Sequence, residues 1–221
     1  MYRPQHFAED RLEELHRIIT KYPFGVLVFN GPNGLEADHL PFELALDAGE
    51  HGHLLAHVAR ANPIWQQLQD GTEVLVIFRA ADAYVSPNWY PSKHEFHRQV
   101  PTWNYQIVHA HGTIHMRDDE RFVRGAVARL TREHEARTGS DRPWKMGDST
   151  AEYIDAMLAR IVGIEIEITC LIGKSKLSQN KDTRDRINAA RELSNRGQQA
   201  LADAMLNTDT SAASTGPDWH R

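Results

Sequence analysis

A strict alternation of apolar and polar residues near the end of the chain limits the fold more than any other feature. In residues 162–172, VGIEIEITCLI, the side chains of Ile164, Ile166 and Ile168 share one face and polar side chains occupy the other. This pattern predicts a strand with one buried face, as is typical of antiparallel sheets. The single cysteine, Cys170, lies in the same apolar run and is predicted to be a small core residue.

Further strands are predicted along the chain, and most are joined by turns. They lie at 23–30, 35–42, 43–47, 51–58, 73–79 and 107–116, with GPNG as a turn at 31–34. Helical spacing is found at 9–22, 118–136, 149–161 and about 183–206. A capping box, Ser149 with Glu152, is predicted to open the third of these helices. The pattern favours a mainly β protein with peripheral α-helices (α+β), folded as a barrel rather than as a doubly wound sheet.

Composition restricts the compartment and the partners. No apolar run approaches the roughly 20 residues that cross a bilayer, and no apolar leader is present, so a cytoplasmic protein without a membrane partner is predicted. The formal net charge of −5 is opposite to that of typical DNA-binding domains, and no helix-turn-helix pattern is found. Direct DNA binding is therefore not expected. One domain is predicted over residues 1–207, followed by a disordered tail at 208–221.

Two basic segments follow predicted strands and are candidate ligand sites. In HVARANPIW, residues 57–65, Asn62 suits a helix cap and Pro63 suits the first helical position, with Arg60 beside them. This arrangement predicts either a phosphate site or an ordinary capped helix. KSKLSQNK, residues 174–181, combines three lysines with hydrogen-bonding side chains. It predicts either a site for an anionic or amide-rich ligand or a solvated basic turn.

The histidines offer a weaker indication of a site. His109, His111 and His115 share one face of a predicted strand, but no carboxylate or cysteine accompanies them at ligand spacing. A partly exposed polar face is favoured there, and no metal site is predicted. His39 and His57, on two other predicted strands, are similarly ambiguous.

Seven segments, taken in order, resemble the PaiB family of FMN-binding negative transcriptional regulators. They are MYRPQHF (1–7), ADHLPF (37–42), HVARANPIW (57–65), DAYVSPNWYPSK (82–93), VPTWNYQIVHAHG (100–112), IVGIEIEI (161–168) and GKSKLSQNK (173–181). The resemblance extends from residue 1 to about 195. It implies an FMN-binding split β-barrel of the pyridoxamine-phosphate-oxidase-like type. It also implies a homodimer with flavin at the subunit interface, and repression of transcription.

The same resemblance implies residues that contact FMN. Arg60 and the helix capped by Asn62 are expected to hold the phosphate, and His39 to approach the flavin ring. The lysine-containing segment is expected to contribute from the same or the partner subunit. The full set of expected cofactor contacts is His39, His57, Arg60, Asn62, Tyr84, Ser86, Trp89, Thr102, Trp103, Asn104, Lys176, Ser178 and Gln179. No catalytic residue is predicted.

Residues 82–105 hold six of the 18 aromatic residues of the chain and three of its prolines, without strand alternation. With the resemblance in view, they are expected to form a rigid wall over a cleft or across a dimer interface, since Trp and Tyr combine a large apolar face with a polar tip. Core packing of the barrel is the alternative.

Three functions are compatible with these features. The first is a negative transcriptional regulator that binds FMN and acts directly or indirectly. The second is a flavin-dependent oxidoreductase acting on a small molecule, with FMN performing the redox chemistry. The third is a haem-binding protein, because some split-barrel proteins bind haem and this chain has 13 histidines.

Overall fold

The computed structural model describes residues 1–208, so the predicted disorder at 208–221 lies, apart from Thr208, outside the described residues. Eight strands are found in this part of the chain: β1 Ala8–Glu9, β2 Phe24–Gly31, β3 Gly34–Pro41, β4 Glu43–Ala45, β5 His53–Ala59, β6 Thr72–Val85, β7 Thr102–Arg117 and β8 Ile161–Lys176. The α-helices of the described chain are α1 Leu12–Lys21, α2 Ile64–Gln67, α3 Pro91–Phe96, α4 Glu120–Ala136, α5 Ala151–Leu158, α6 Thr183–Ser194 and α7 Gln199–Leu206.

The strands form a sheet in the order β3–β2–β6–β7–β8–β5–β4, and β1 pairs with β8 away from this path. The β2–β3 hairpin is antiparallel and brings Gly31 opposite Gly34, so the predicted turn at 31–34 is confirmed. Strands β5 and β8 are also antiparallel, with Leu54 opposite Ile166. The mainly β fold with peripheral helices is therefore confirmed. No described helix is long and apolar enough to cross a membrane.

Contacts divide the described chain into two compact units. Unit 1 consists of Met1–Leu15, Arg79–Val108 and the described residues from Ile172 onward. Unit 2 consists of His16–Phe78 and His109–Leu171. The prediction of one domain over residues 1–207 stays a prediction.

Each unit has its own buried cluster. In unit 1, Tyr90, Leu177, Leu193 and Met205 belong to one apolar cluster, to which α6 and α7 both contribute. In unit 2, α4 and α5 pack through Val123, Ile154 and Leu158. The three isoleucines of the alternating segment, Ile164, Ile166 and Ile168, are buried as predicted. Burial of such side chains is the main favourable contribution to folding.

Two predictions about local structure are wrong. Cys170 is exposed rather than part of the core, because the face of β8 that is buried at residues 164, 166 and 168 is no longer covered at residue 170. The helix predicted over 183–206 is two helices, α6 and α7, separated by Gly197. Gly197 has a φ of 78°, a left-handed conformation that ends a helix and that glycine adopts without steric cost.

Two other elements begin or end elsewhere than predicted. The cap of α5 is Thr150, whose side chain accepts a hydrogen bond from the Tyr153 N–H at 3.4 Å, so the predicted capping box of Ser149 with Glu152 is wrong. The aromatic stretch is more regular than predicted, since β6 continues to Val85 and β7 already begins at Thr102. Residues 82–105 therefore comprise the ends of two long strands, short helical segments and an irregular connection at 97–101.

Candidate functional site

The last residues of β8 and the turn that follows carry three lysines, and residues 174–181 are called here the lysine turn. Ser178 has a φ of 65°, which is uncommon for any residue other than glycine. Gln179 fixes the turn, because its Oε1 accepts from the Leu177 N–H at 2.7 Å and its Nε2 donates to the Ser175 carbonyl at 2.5 Å. Ser178 and Gln179 are both buried and build the turn, and they stay predicted cofactor contacts.

Asn104, on strand β7, supports the lysine turn from within unit 1. It is fully buried, and its Nδ2 donates to the Ser178 hydroxyl at 2.8 Å. Its Oδ1 is buried with no hydrogen-bond partner among the described residues. Asn104 therefore positions the turn, and it stays a predicted cofactor contact.

Lys176 is the member of the turn most suited to meet a ligand. Its Nζ donates to the Trp103 carbonyl at 2.8 Å and to the Thr102 hydroxyl, and its side chain is only partly buried. Both acceptors are neutral, so they orient the ammonium group without cancelling its charge. Thr102 thus acts on the position of Lys176.

Lys174 and Lys181 also donate to neutral oxygens. Lys174 Nζ lies 3.1 Å from the Tyr2 carbonyl, and Lys181 Nζ lies 2.7 Å from Gln99 Oε1. The ammonium of Lys174 is also 5.4 Å from the ring centre of Tyr105, a cation–π distance. The ammonium groups of these lysines are therefore held by neutral oxygen acceptors and by an aromatic ring.

Burial and like charge both act on these ammonium groups. Burial lowers the pKa of Lys176, and the positive charges of Lys174 and Lys181 lower it further. Burial also lowers the pKa of Lys181, and the nearby carboxylate of Asp185 partly offsets this. Cations in such a setting are stabilised by an approaching anion.

An accessible pair of rings lies next to Lys176. Trp103 and Tyr84 pack edge to face, with ring centroids 6.3 Å apart and planes inclined by 74°. Trp103 is 54% exposed and Tyr84 is 47% exposed. Because Lys176 donates to the carbonyl of Trp103, a cation and an apolar ring surface are neighbours in unit 1. This combination suits a ligand that carries both an anionic group and a ring.

Ser86 and Trp89, also expected to contact the cofactor, hold the segment between β6 and β7. The Ser86 hydroxyl accepts from the Asn88 N–H at 3.3 Å and caps a short helical turn. The Trp89 carbonyl accepts from Asn188 Nδ2 at 2.8 Å, and the guanidinium of Arg196 lies 4.6 Å from the ring centre of Trp89. Both residues are engaged in contacts within unit 1.

Arg60, in unit 2, is engaged by the protein on both arms of its guanidinium. Its Nη1 and Nη2 donate to the Asp118 carboxylate at 2.9 and 2.5 Å. Its Nε donates to the Ala159 carbonyl at 2.9 Å, and Nη2 also reaches the Ile161 carbonyl at 3.2 Å. The hydrogen bond with Asp118 raises the pKa of Arg60. Few donors of Arg60 are left for a phosphate.

The side chain of Asn62 also has hydrogen-bond partners within the protein for both of its polar atoms. Its Oδ1 accepts from the Ile64 N–H at 3.0 Å, the bond expected of a capping side chain, although Pro63 directly precedes the helix. Its Nδ2 donates to Asp38 Oδ2 at 2.9 Å. Helix α2 has only four residues, so the partial charge at its N-terminus is small. The segment is held by its own contacts.

The two expected histidines of unit 2 differ in exposure. His39 is exposed on β3, and its ring lies 6.3 Å from that of Phe24. His57 is partly buried on β5, and burial lowers its pKa, which favours the neutral imidazole. Its Nδ1 is buried with no hydrogen-bond partner in the described part of the chain.

The histidines of β7 do not form a metal site. His115 Nδ1 lies 3.0 Å from Asp70 Oδ2, and the rings of His109 and His111 are 6.4 Å apart. Burial lowers the pKa of His109. Across residues 1–208, no three side chains of His, Cys, Asp or Glu are grouped so as to hold a metal ion.

Comparison with known families identifies the chain. A family model described as "Putative FMN-binding domain" matches residues 1–170, well over half of the chain. The chain belongs to this FMN-binding family. The match agrees with the PaiB-like segments found in the sequence, and it ends just before the lysine turn.

A curated relative supports the same family. The chain is 29% identical over 195 residues to "Protease synthase and sporulation protein PAI 2" of Bacillus subtilis (strain 168). The alignment covers 88% of this chain and 90% of that protein. The resemblance to the PaiB family is therefore confirmed.

Two solved structures share the fold. The FAD and heme binding protein from Mycobacterium smegmatis has a TM-score of 0.56 at 19% identity, covering 81% of this chain and 78% of its own. The flavocytochrome Anf3 from Azotobacter vinelandii has a TM-score of 0.57 at 14% identity, covering 84% and 77%. At these identities the likeness concerns the fold alone. It confirms the predicted split-barrel fold class.

The residues of unit 1 fit the cofactor of the family. FMN carries a phosphate dianion and a flat ring system, and Lys176 with Trp103 and Tyr84 offers a cation and exposed rings together. Arg60 fits less well, because its donors are already bonded within unit 2. FMN is thus a cofactor that this chain is equipped to bind.

Two members of the cluster were identified from the sequence only as part of the basic segment 174–181. Lys174 and Lys181 were not among the expected cofactor contacts, although their charges act on Lys176. A signal was present, since residues 174–181 hold three of the six lysines of the chain. Tyr2 had no such signal, because its contact with Lys174 joins residues 172 positions apart.

Proposed function

We propose that this chain is an FMN-binding negative regulator of transcription that does not itself read DNA. The observation that carries the proposal is the match of residues 1–170 to an FMN-binding domain, in a chain with the segments of the PaiB family. The relative from Bacillus subtilis has sporulation in its name, which supports a regulatory output. The formal net charge of −5 disfavours direct binding to DNA.

In this proposal FMN is bound by unit 1. Trp103 and Tyr84 contact the ring system, Lys176 supplies positive charge, and Thr102 orients Lys176. When bound, FMN supplies the electron-transfer chemistry, and the protein supplies binding and electrostatics. His39, His57, Arg60 and Asn62 stay predicted contacts.

The proposal includes a homodimer that acts in the cytoplasm, as the resemblance implies. Exposed rings such as Trp103 are common at interfaces, which supports association of two chains. Light scattering after size-exclusion chromatography tests this part. A mass of twice 25.2 kDa is expected, and a mass of 25.2 kDa argues against the dimer.

The regulatory proposal is tested in three measurements on the purified chain and its host. An absorbance spectrum followed by titration of FMN fluorescence is expected to show binding. Electrophoretic retardation of promoter fragments at low salt is expected to be absent with or without FMN. Transcripts repressed by the chain are expected to rise equally on deletion and in a Trp103→Ala, Tyr84→Ala variant. Unchanged transcripts after deletion would refute regulation.

A second function, a flavin-dependent oxidoreductase, is favoured by one observation. Lys176 is partly exposed beside the ring pair, and its lowered pKa brings proton exchange closer to neutral pH. Oxidation of NADH or NADPH by the FMN-loaded chain tests this activity. Turnover that disappears in Lys176→Met and persists in Lys145→Met supports it, and no oxidation of either nucleotide argues against it.

A further inference from the structure

The positive charge of the lysine turn has no internal counter-charge in contact with it. Within residues 1–208, no carboxylate oxygen lies within 4.0 Å of Nζ of Lys174, Lys176 or Lys181. Three cations near one another repel, and their partial burial makes the repulsion stronger than in water. A bound anion relieves this repulsion, so the ligand-free turn is prepared for one.

The turn is also rigid before any ligand arrives. The side chain of Gln179 closes it through two backbone bonds, and the Asn104 amide holds the Ser178 hydroxyl. Lys176 is further restricted by its bonds to Thr102 and Trp103. A preorganised site loses little conformational entropy on binding, which increases affinity.

The neighbourhood of Lys176 selects for a ring attached to the anion. Lys176 Nζ donates to the backbone carbonyl of Trp103, and the exposed ring of the same residue packs against Tyr84. An inorganic anion can contact only the ammonium group, whereas a phosphate that carries an aromatic ring can contact both the ammonium group and the Trp103–Tyr84 rings. The turn lies beyond residue 170, where the match to the FMN-binding family ends, so the match itself assigns it no role.

We infer that the lysine turn is the phosphate-binding site of this chain and the feature by which it distinguishes FMN from riboflavin. The inference rests on the proposed function, because it assigns the phosphate of that cofactor to unit 1. Lys176 makes the central contact, and Lys174 and Lys181 add positive charge around it. Arg60 stays a predicted cofactor contact, but Asp118 already pairs with it, so the phosphate is assigned to the lysine turn.

Titration with the two flavins tests the inference directly. FMN and riboflavin share the ring and differ in the phosphate, so their affinity ratio isolates the phosphate contact. The unaltered chain is expected to bind FMN about tenfold or more tightly than riboflavin, as for a charge-assisted hydrogen bond. Lys176→Met is expected to remove most of this ratio, and Lys176→Arg to retain part of it.

Lys145→Met is the matched control, since Lys145 is exposed and belongs to unit 2. It is expected to leave the ratio unchanged. Equal affinity of the unaltered chain for both flavins overturns the inference while flavin binding stands. A ratio that survives in a folded Lys176→Met variant overturns it as well, with folding checked by thermal unfolding.

A second measurement needs neither a variant nor a flavin. Acylation of lysines near neutral pH, read by mass spectrometry, is compared with and without inorganic pyrophosphate. Protection of Lys176 but not of Lys145 is expected. If FMN does not bind and Lys176 is still protected, the anion site stands and the proposed function fails. If FMN binds and neither FMN nor pyrophosphate protects Lys176, the inference fails alone.

Discussion

Two basic residues at the ends of β-strands serve opposite purposes in this chain. In unit 2, Arg60 follows β5 and makes a two-pronged ion pair with Asp118. In unit 1, Lys176 ends β8 and donates only to the neutral oxygens of Thr102 and Trp103. The arginine charge is paired with a carboxylate within the protein, and the lysine ammonium is bonded to neutral oxygens.

The contrast follows from the chemistry of the two side chains. A guanidinium is planar and matches a carboxylate with two parallel hydrogen bonds, so it readily becomes a structural tie. An ammonium is a compact charge whose pKa shifts when it is buried, as it does for Lys176. A basic residue near a strand end therefore indicates a ligand site only where the fold does not neutralise it.

The largest effect is expected when the lysine turn loses its internal support. Gln179→Ala removes two buried bonds to the backbone of the turn, which is expected to lower the free energy of unfolding by about 2 kcal/mol. FMN affinity is expected to fall with it, because the lysines are no longer held in place. Urea denaturation and FMN titration measure the two effects.

Gln67→Ala is the matched control, because Gln67 is exposed and lies near the Arg60 segment. It is expected to change the free energy of unfolding by less than about 0.5 kcal/mol. If both variants behave alike, the side chain of Gln179 does not hold the turn.

Arg60→Met tests the other half of the comparison, namely that Arg60 stabilises the fold and does not bind the phosphate. It removes the Asp118 pair and the bonds to the Ala159 and Ile161 carbonyls, so the melting temperature is expected to fall. The decrease is expected to be smaller than for Gln179→Ala, because Arg60 is partly exposed. The ratio of FMN to riboflavin affinity is expected to remain unchanged. A large decrease in that ratio would assign phosphate binding to Arg60 instead of to the lysine turn.

A smaller effect is expected for Lys181→Met. Lys181 contributes charge to the cluster, but the nearby carboxylate of Asp185 offsets part of it. FMN affinity is therefore expected to fall by roughly threefold, less than for Lys176→Met. Fluorescence titration at two salt concentrations checks this, since the effect of a partly exposed charge decreases with ionic strength. A loss larger than that of Lys176→Met would place the central contact at Lys181.

The smallest effect concerns alkaline pH. The pKa of Lys176 is lower in the folded chain than in the unfolded chain. At a pH between these two pKa values, the folded chain therefore binds fewer protons than the unfolded chain. Below the folded pKa, Lys176 is charged and destabilises the ligand-free folded chain to the full extent. This destabilisation decreases as the pH rises through the folded pKa, because the ammonium loses its proton. Stability is therefore expected to rise slightly there, while FMN affinity falls. Urea denaturation against pH measures the slope, which should flatten in Lys176→Met. Equal slopes in both proteins would contradict this assignment.

The elements predicted most accurately are those with a strong local pattern. The alternation at Ile164, Ile166 and Ile168 predicted their burial, and the glycine turn at 31–34 predicted the first hairpin. Helix α4 ends where helical spacing ended, at Ala136. Cys170 was misplaced because alternation predicts which face a residue takes but not how far along the strand that face is covered.

The site was predicted only as a set of segments. The lysine turn and the aromatic stretch were both identified from the sequence, and unit 1 brings them together through Lys176 and Trp103. Which polar residues of these segments are buried and which are exposed was not predictable from the sequence. Ser178 and Asn104 are polar and resemble ligand contacts in sequence, but both are buried and bonded to each other.

The amino-acid sequence alone determined the mainly β architecture and the family, because strand periodicity and motif segments are local properties of the chain. Tertiary structure alone decided which charges are free. The partner of Arg60 lies 58 positions away at Asp118, and that of Lys176 lies 73 positions away at Trp103. Whether a cation meets a carboxylate or a neutral oxygen depends on such long-range pairings, and it determines whether the cation stabilises the fold or remains available to a ligand.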